Sequence, residues 1–242
     1  MILLFTDYGA SDIYVGQMKA VLARRAPGIP VIDLLHEAPA FNVLAGAHLL
    51  AALSMRLEAG DVLLAVVDPG VGSERDAIAL RAGGRWFVAP DNGLASVAAA
   101  RSNDADLFTI GWRPEALSVS FHGRDLFAPL AAMLARGDRA SARLEARTRL
   151  SADLGPDDLG EIVYLDHFGN AMTGLRACKL PQRARLTVAG CHIPYARVFS
   201  AVPEGEPFWY ENSIGLAEIA ANTDNAARRL GLTVGHPVTV AA

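Results

Sequence analysis

The chain has 242 residues and is 52% hydrophobic, enough to bury a substantial core in one large domain or two modest ones. Its 22 basic and 26 acidic side chains leave a formal net charge of −4 with the signs interspersed, so no basic stripe marks a nucleic-acid surface. No apolar run is long enough to span a bilayer, and Cys178 and Cys191, in no metal-ligand spacing, read as free thiols of a reducing compartment.

The apolar start, residues 2–5, lacks a basic leader and meets Thr6-Asp7 at once, which predicts a first strand and not a signal peptide; a cytoplasmic protein is expected. Val15, Met18, Val21 and Leu22 recur at helical spacing, and Gly28 ends that helix. Residues 31–35 make a second strand, closing a βαβ unit. Asn42 is placed to N-cap a helix carrying Val43, Leu44, Ala47, Leu50, Ala51 and Leu53.

Residues 62–67 form an unbroken apolar run, as in a strand buried on both faces of a parallel sheet. It ends in Asp68-Pro69-Gly70-Val71-Gly72-Ser73-Glu74-Arg75. Ligands of open α/β sheets bind at the carboxyl ends of strands, so Asp68 is either a catalytic acid or a capping one. Residues 77–81 and 85–89 flank Gly83-Gly84, a hairpin signal. A short alanine-rich helix follows Asp91-Asn92-Gly93, and residues 107–110 form a further strand. His122-Gly123-Arg124-Asp125 precedes an amphipathic helix whose Pro129 requires a start close to Asp125; Gly137 closes it.

From Asp138 to Gly160 the chain is polar and loses periodicity, which predicts a connection between domains. The expected division is an α/β domain over 1–146, a linker over 147–160 and a smaller antiparallel β domain, sandwich or barrel, over 161–242. In that last domain strands are predicted at 161–165, 185–188, 192–195, 208–210, 216–221 and 238–240, with one helix at 224–230.

Asp7, Asp12, Asp68, Arg75, Asp91, His122, Asp125 and Asp166 lie at the ends of predicted elements, where acids, an arginine and a histidine can converge on one cleft. Each has a plainer reading as cap, turn or surface ion pair. His36 and His48 read as structural. A two-metal hydrolase would use the same carboxylates and histidines, but no H-x-H or H-E-x-x-H element supports it. A metal-free site for a nucleoside-like ligand would use a carboxylate for ribose hydroxyls and aromatic faces for the base. A binding protein without turnover is a third reading.

Thr6-Asp7-Tyr8-Gly9 with Asp12 and Tyr14-Val15-Gly16, Val67-Asp68-Pro69-Gly70-Val71-Gly72, Pro90-Asp91-Asn92-Gly93, Phe121-His122-Gly123-Arg124-Asp125, Asp166-His167-Phe168-Gly169-Asn170 and Asn212-Ser213 follow one another in order. With these motifs the chain resembles the S-adenosyl-L-methionine (SAM) hydroxide adenosyltransferases, SAM hydrolases related to fluorinase and chlorinase. The resemblance spans nearly the whole chain. It implies an N-terminal α/β domain, a C-terminal β-barrel and a homotrimer with sites between subunits. The implied reaction is hydrolysis of SAM to adenosine and L-methionine, with SAM as substrate and neither cofactor nor metal.

By the same resemblance Asp68, Arg75 and His122 would handle the attacking water. Asp7 would bind the ribose, with Phe41 lining it, and Asp12 and Asp166 would lie near the methionine amino group. Phe168 and Phe199 would flank the adenine, and Asn170 would hydrogen-bond it. Ser213 and Glu218 would complete the ligand site. The halogenating relatives lack the Asp-Pro-Gly-Val loop and its arginine, so water is favoured over halide; a 5′-halo-adenosine synthase is the alternative. Ile214 stands where the halogenases carry an arginine, and Gly174 where the family often has Asn.

Overall fold

In a computed structural model, which describes residues 1–241, the chain forms a mixed α/β fold of two compact units, Met1–Pro156 and Asp157–Ala242. The first holds a seven-stranded mixed sheet in the order β2-β1-β3-β5-β4-β6-β7. Its strands are β1 (Ile2–Thr6), β2 (Val31–Leu35), β3 (Val62–Val66), β4 (Ala77–Ala82), β5 (Arg85–Pro90), β6 (Asp106–Ile110) and β7 (Leu144–Arg147). β1 pairs parallel with β2 and β3, and β3 with β5; β4, β6 and β7 add antiparallel.

The helices are α1 (Ile13–Arg25), α2 (Val43–Ser54), α3 (Ser96–Ala100), α4 (Ala128–Ala135) and α5 (Arg139–Ala142). Met18 and Leu22 of α1 and Leu130 and Leu134 of α4 join Ile2, Leu4, Val62 and Leu64 in one core. Leu3, Phe5, Leu63 and Ala65 alternate to the opposite face and are buried as well, which is why β1 and β3 read as unbroken apolar runs. Asn42 caps α2 as predicted, its side-chain oxygen accepting from Ala45 N at 3.0 Å.

Two local features depart from expectation. The helix predicted to begin near Asp125 opens with a π turn, Gly123–Phe127, in which Ala128 N donates to Gly123 O. Pro129 follows and has no N–H for an ordinary i−4 bond. The polar stretch after Asp138 is not without structure: it contains α5 and β7, and β7 pairs antiparallel with β6 from Leu107↔Arg147 to Ile110↔Leu144. Elements of four residues carry too little periodicity to be read locally; the sheet edge selects them.

The second unit contains β8 (Leu159–Leu165), β9 (Ala171–Arg176), β10 (Arg185–Val188), β11 (Cys191–Ile193), β12 (Pro207–Glu211), β13 (Leu216–Ala221) and β14 (Val238–Ala241), with α6 (Ala226–Leu230). They form antiparallel sheets in the orders β12-β13-β9-β8 and β11-β10-β14. β9 is absent from the sequence reading because Gly174 interrupts its pattern. The glycine is required there, since a Cβ would meet Leu159 Cβ at 2.6 Å and its carbonyl oxygen at 2.7 Å. Both cysteines are free thiols.

Candidate functional site

Thr6 and Val66 are register partners of the parallel strands β1 and β3, so Asp7 and Asp68 leave the sheet side by side at its carboxyl edge. The Asp68 side chain is 4% exposed and forms an ion pair with that of Arg75, 13% exposed, through Oδ2 and Nη2. The same guanidinium donates from Nη1 to Gly70 O and, at 3.0 Å, to Ser73 Oγ. Asp68 is therefore no helix cap, and its pair with Arg75 is no surface ion pair. One acceptor and one donor of the pair, Asp68 Oδ1 and Arg75 Nε, are buried without a partner. Polar atoms left so are costly unless a ligand or water uses them. Asn92 steadies the base of this loop, its Nδ2 donating to Val67 O at 2.9 Å.

Two close approaches bring distant segments to this pair. Gly72 has φ 85, and a Cβ there would lie 2.5 Å from Val119 O, so the Asp68–Arg75 loop packs on the segment leading to His122. A Cβ on Gly123 would lie 2.5 Å from Tyr8 Oη, so the loop after β1 packs on the residue following His122. Tyr8, Tyr14 and Phe121 form a ring cluster with centroids 5.3–5.8 Å apart. The His122 side chain has no hydrogen-bond partner among the described residues. Burial depresses its pKa below the ordinary value, the nearby Arg75 charge adds to this, and Asp125 opposes it. A neutral imidazole able to take a proton results. Burial likewise lowers the Arg75 pKa.

The remaining predicted residues of this unit divide. Asp7 accepts from Phe41 N at 3.1 Å, and burial raises its pKa. Phe41 takes φ 60, which a bulky residue adopts only under constraint, and the residue is 77% exposed. Asp12 caps α1, accepting from Ile13 N at 2.7 Å. Asp91 is structural: it pairs with Arg147 at 2.8 Å and accepts from Ser151 N. His36 bonds Thr6 Oγ1 at 2.8 Å, buried under β1. Tyr8 went unassigned in the sequence; its signal was a phenol directly after Asp7 at a strand end. Burial, then the Asp7 charge, push its pKa up while Arg75 opposes.

In the second unit Asp166 accepts from Phe168 N, Asn170 N and Asn170 Nδ2 at 2.8–2.9 Å, a turn that leaves Phe168 74% exposed. Phe199 stands edge-on to Phe208 and Tyr210. Glu218 is 2% exposed; Tyr210 donates to its Oε1 at 2.6 Å and Asn212 Nδ2 to its Oε2 at 2.7 Å. Burial raises the Glu218 pKa and, more than the neighbouring Glu218, that of Tyr210. Ser213 is exposed in the turn between β12 and β13. Tyr210 was also missed, although it is the direct cross-strand partner of Glu218.

Among the described residues no cluster of three or more His, Cys, Asp or Glu could hold a metal ion, and no helix is long and apolar enough to cross a membrane.

The profile of the SAM hydroxide adenosyltransferase N-terminal domain matches residues 2–143, and that of the C-terminal domain residues 160–239. A protein of Thermus thermophilus named (R)-S-adenosyl-L-methionine hydrolase is 41% identical, with 96% of each chain covered. One of Salinispora arenicola with the same name is also 41% identical, over 98% of this chain and 96% of that one. The crystal structure of an uncharacterized conserved protein from Thermotoga maritima superposes with a TM-score of 0.90 at 31% identity, covering all of both chains. The chain belongs to the SAM hydroxide adenosyltransferase family.

Proposed function

We propose that this protein hydrolyses SAM to adenosine and L-methionine by in-line attack of water on C5′. The observation that carries the reading is the buried Asp68–Arg75 pair with Oδ1 and Nε unpartnered, beside a neutral His122. As the water oxygen bonds to C5′, the C5′–S bond breaks and its electron pair returns to sulfur. Methionine leaves as a neutral thioether, so no general acid is needed. The proton passes to Asp68 or His122, a contribution of about 10²–10⁴-fold, and holding water in line with C5′ supplies up to about 7–11 kcal/mol. Arg75 orients the carboxylate and stabilises the developing hydroxide.

Asp7 and the exposed Phe41 are assigned to the ribose, Asp12 and Asp166 to the methionine amino end, and Phe168, Phe199 and Asn170 to the adenine. Ser213 and Glu218 complete the ligand set. We further read the second unit as barrel-like, the chain as a cytoplasmic homotrimer whose sites are completed by a neighbouring subunit, and the preferred substrate as the (R)-sulfonium epimer. The exposure of Phe41 and Phe168 supports their assignment to the ligand, and the names of the relatives support the choice of epimer.

Purified protein incubated with each SAM epimer, with and without chloride or fluoride, tests the reaction. Adenosine and methionine should accumulate fastest from the (R) epimer. No adenosine above the spontaneous background overturns the proposal, and a 5′-halo-adenosine would make the protein a halogenase. Light scattering should give a trimer; a clean monomer excludes shared sites.

A further inference from the structure

A cavity of about 670 Å³ opens between the last turns of α1, the segment after β6 and the start of α4. None of Asp7, Asp68, Arg75 or His122 lines it. Five arginines do: Arg24, Arg25, Arg113, Arg124 and Arg143. Glu115 and Asp125 are its two acids, and Asp125 is engaged by Arg124 Nε at 2.6 Å and by Ser118 N at 2.9 Å. On a chain of formal net charge −4, this concavity gathers a surplus of positive charge.

The last turn of α1 accounts for Arg24 and Arg25, which complement the helix dipole. It does not account for the other three. Arg113 is braced by Nη1, which donates to Ile110 O and Trp112 O. Arg124 is fixed by Asp125, by Gln17 and over the face of Phe121. Arg143 takes φ 51, its carbonyl accepting from Gly111 N at 3.0 Å. Arg143 is the left-handed C-cap of α5, a place where glycine would be free of the strain a long side chain bears, and the residue standing there lines the cavity. Half-buried Trp112 adds an aromatic surface.

We propose that this cavity binds a di- or triphosphate group. Guanidinium forks match phosphate oxygens two at a time; with the Arg124 fork taken up by Asp125 and Gln17, the other four arginines around a space of ligand size still offer more donors than one orthophosphate can engage. No residue assigned above to the SAM reaction lines the cavity, and the proposal does not rest on that reading.

The test is titration of the whole protein at low salt with pyrophosphate, tripolyphosphate, ATP and orthophosphate, followed by calorimetry and tryptophan fluorescence. Saturable binding of the di- and triphosphates, tighter than orthophosphate and weakened by added salt, is expected. The fluorescence change should vanish in Trp112→Phe. Arg143→Gly, which keeps a backbone conformation glycine favours, should weaken binding about tenfold, as should Arg24→Gln. SAM turnover should be retained in Arg143→Gly. ATP binding tighter than tripolyphosphate would assign the extra affinity to the base on Trp112. Absence of saturable binding by both pyrophosphate and tripolyphosphate, or affinities unchanged in Arg143→Gly and Arg24→Gln, would overturn the proposal.

Discussion

The Asp7 carboxylate accepts a hydrogen bond from the backbone N–H of Phe41 at 3.1 Å and so holds a strained residue, φ 60, whose ring faces out. Phe41→Gly separates the two roles. Left-handed backbone costs an L-residue about 1–2 kcal/mol, while glycine loses more entropy on folding, so stability should change by less than about 1 kcal/mol. The KM for SAM should rise, with kcat nearly unchanged. Denaturant midpoints and steady-state kinetics check both; unaltered KM would remove Phe41 from the ligand site.

Asp68→Asn should lower kcat by about 10²–10⁴-fold with little change in SAM affinity, because the amide keeps shape but loses basicity. Arg75→Lys should not rescue activity in place of the arginine. A single ammonium cannot reach Asp68 Oδ2, Gly70 O and Ser73 Oγ from one planar fork. Single-turnover rates and substrate-binding titrations distinguish these effects.

His122 carries a pH prediction. Its pKa is depressed by burial and by Arg75, so kcat/KM should rise with pH along a limb whose midpoint lies below the ordinary histidine value of about 6.5. The limb should be lost in His122→Gln. The folded state binds fewer protons here than the unfolded chain, so stability should fall as pH drops below that ordinary value towards the depressed one.

Gly72→Ala and Gly70→Ala should differ sharply. Gly72 has φ 85 and would press a methyl on Val119 O, whereas a Cβ at Gly70 meets only Ser73 Oγ at 3.7 Å and Arg75 Nη1 at 3.9 Å. The first should destabilise by about 1 kcal/mol or more and reduce kcat by moving the loop; the second should be close to neutral. Equal effects would show that the approach to Val119 does not position the loop.

Tyr210→Phe leaves Glu218 Oε1 without its donor in a buried position. A cost of about 1–3 kcal/mol is expected in urea unfolding. A change well below that would mean water replaces the phenol.

Much of this protein is legible without coordinates. Continuous apolar runs bounded by Asp7 and Asp68 identify buried strands with acids at their carboxyl ends, because they are too short for a helix and end in turn-forming residues. Gly83-Gly84 marks the β4–β5 turn, and Asn42 its helix, since both depend on local backbone chemistry. The ordered motifs likewise identify the family.

Only the tertiary structure decided that Asp68 turns to Arg75 and not to a helix end, that Gly72 meets Val119, and that Tyr8 lies against Gly123. It also drew β7 and β9 into sheets and opposed Tyr210 to Glu218. Most of these contacts join residues far apart in the chain, and even Asp68 with Arg75 and Tyr210 with Glu218 meet only once a loop or a strand pair has closed. Local propensity is nearly indifferent to them, and their free energy exists only once packing has excluded water and brought the partners together.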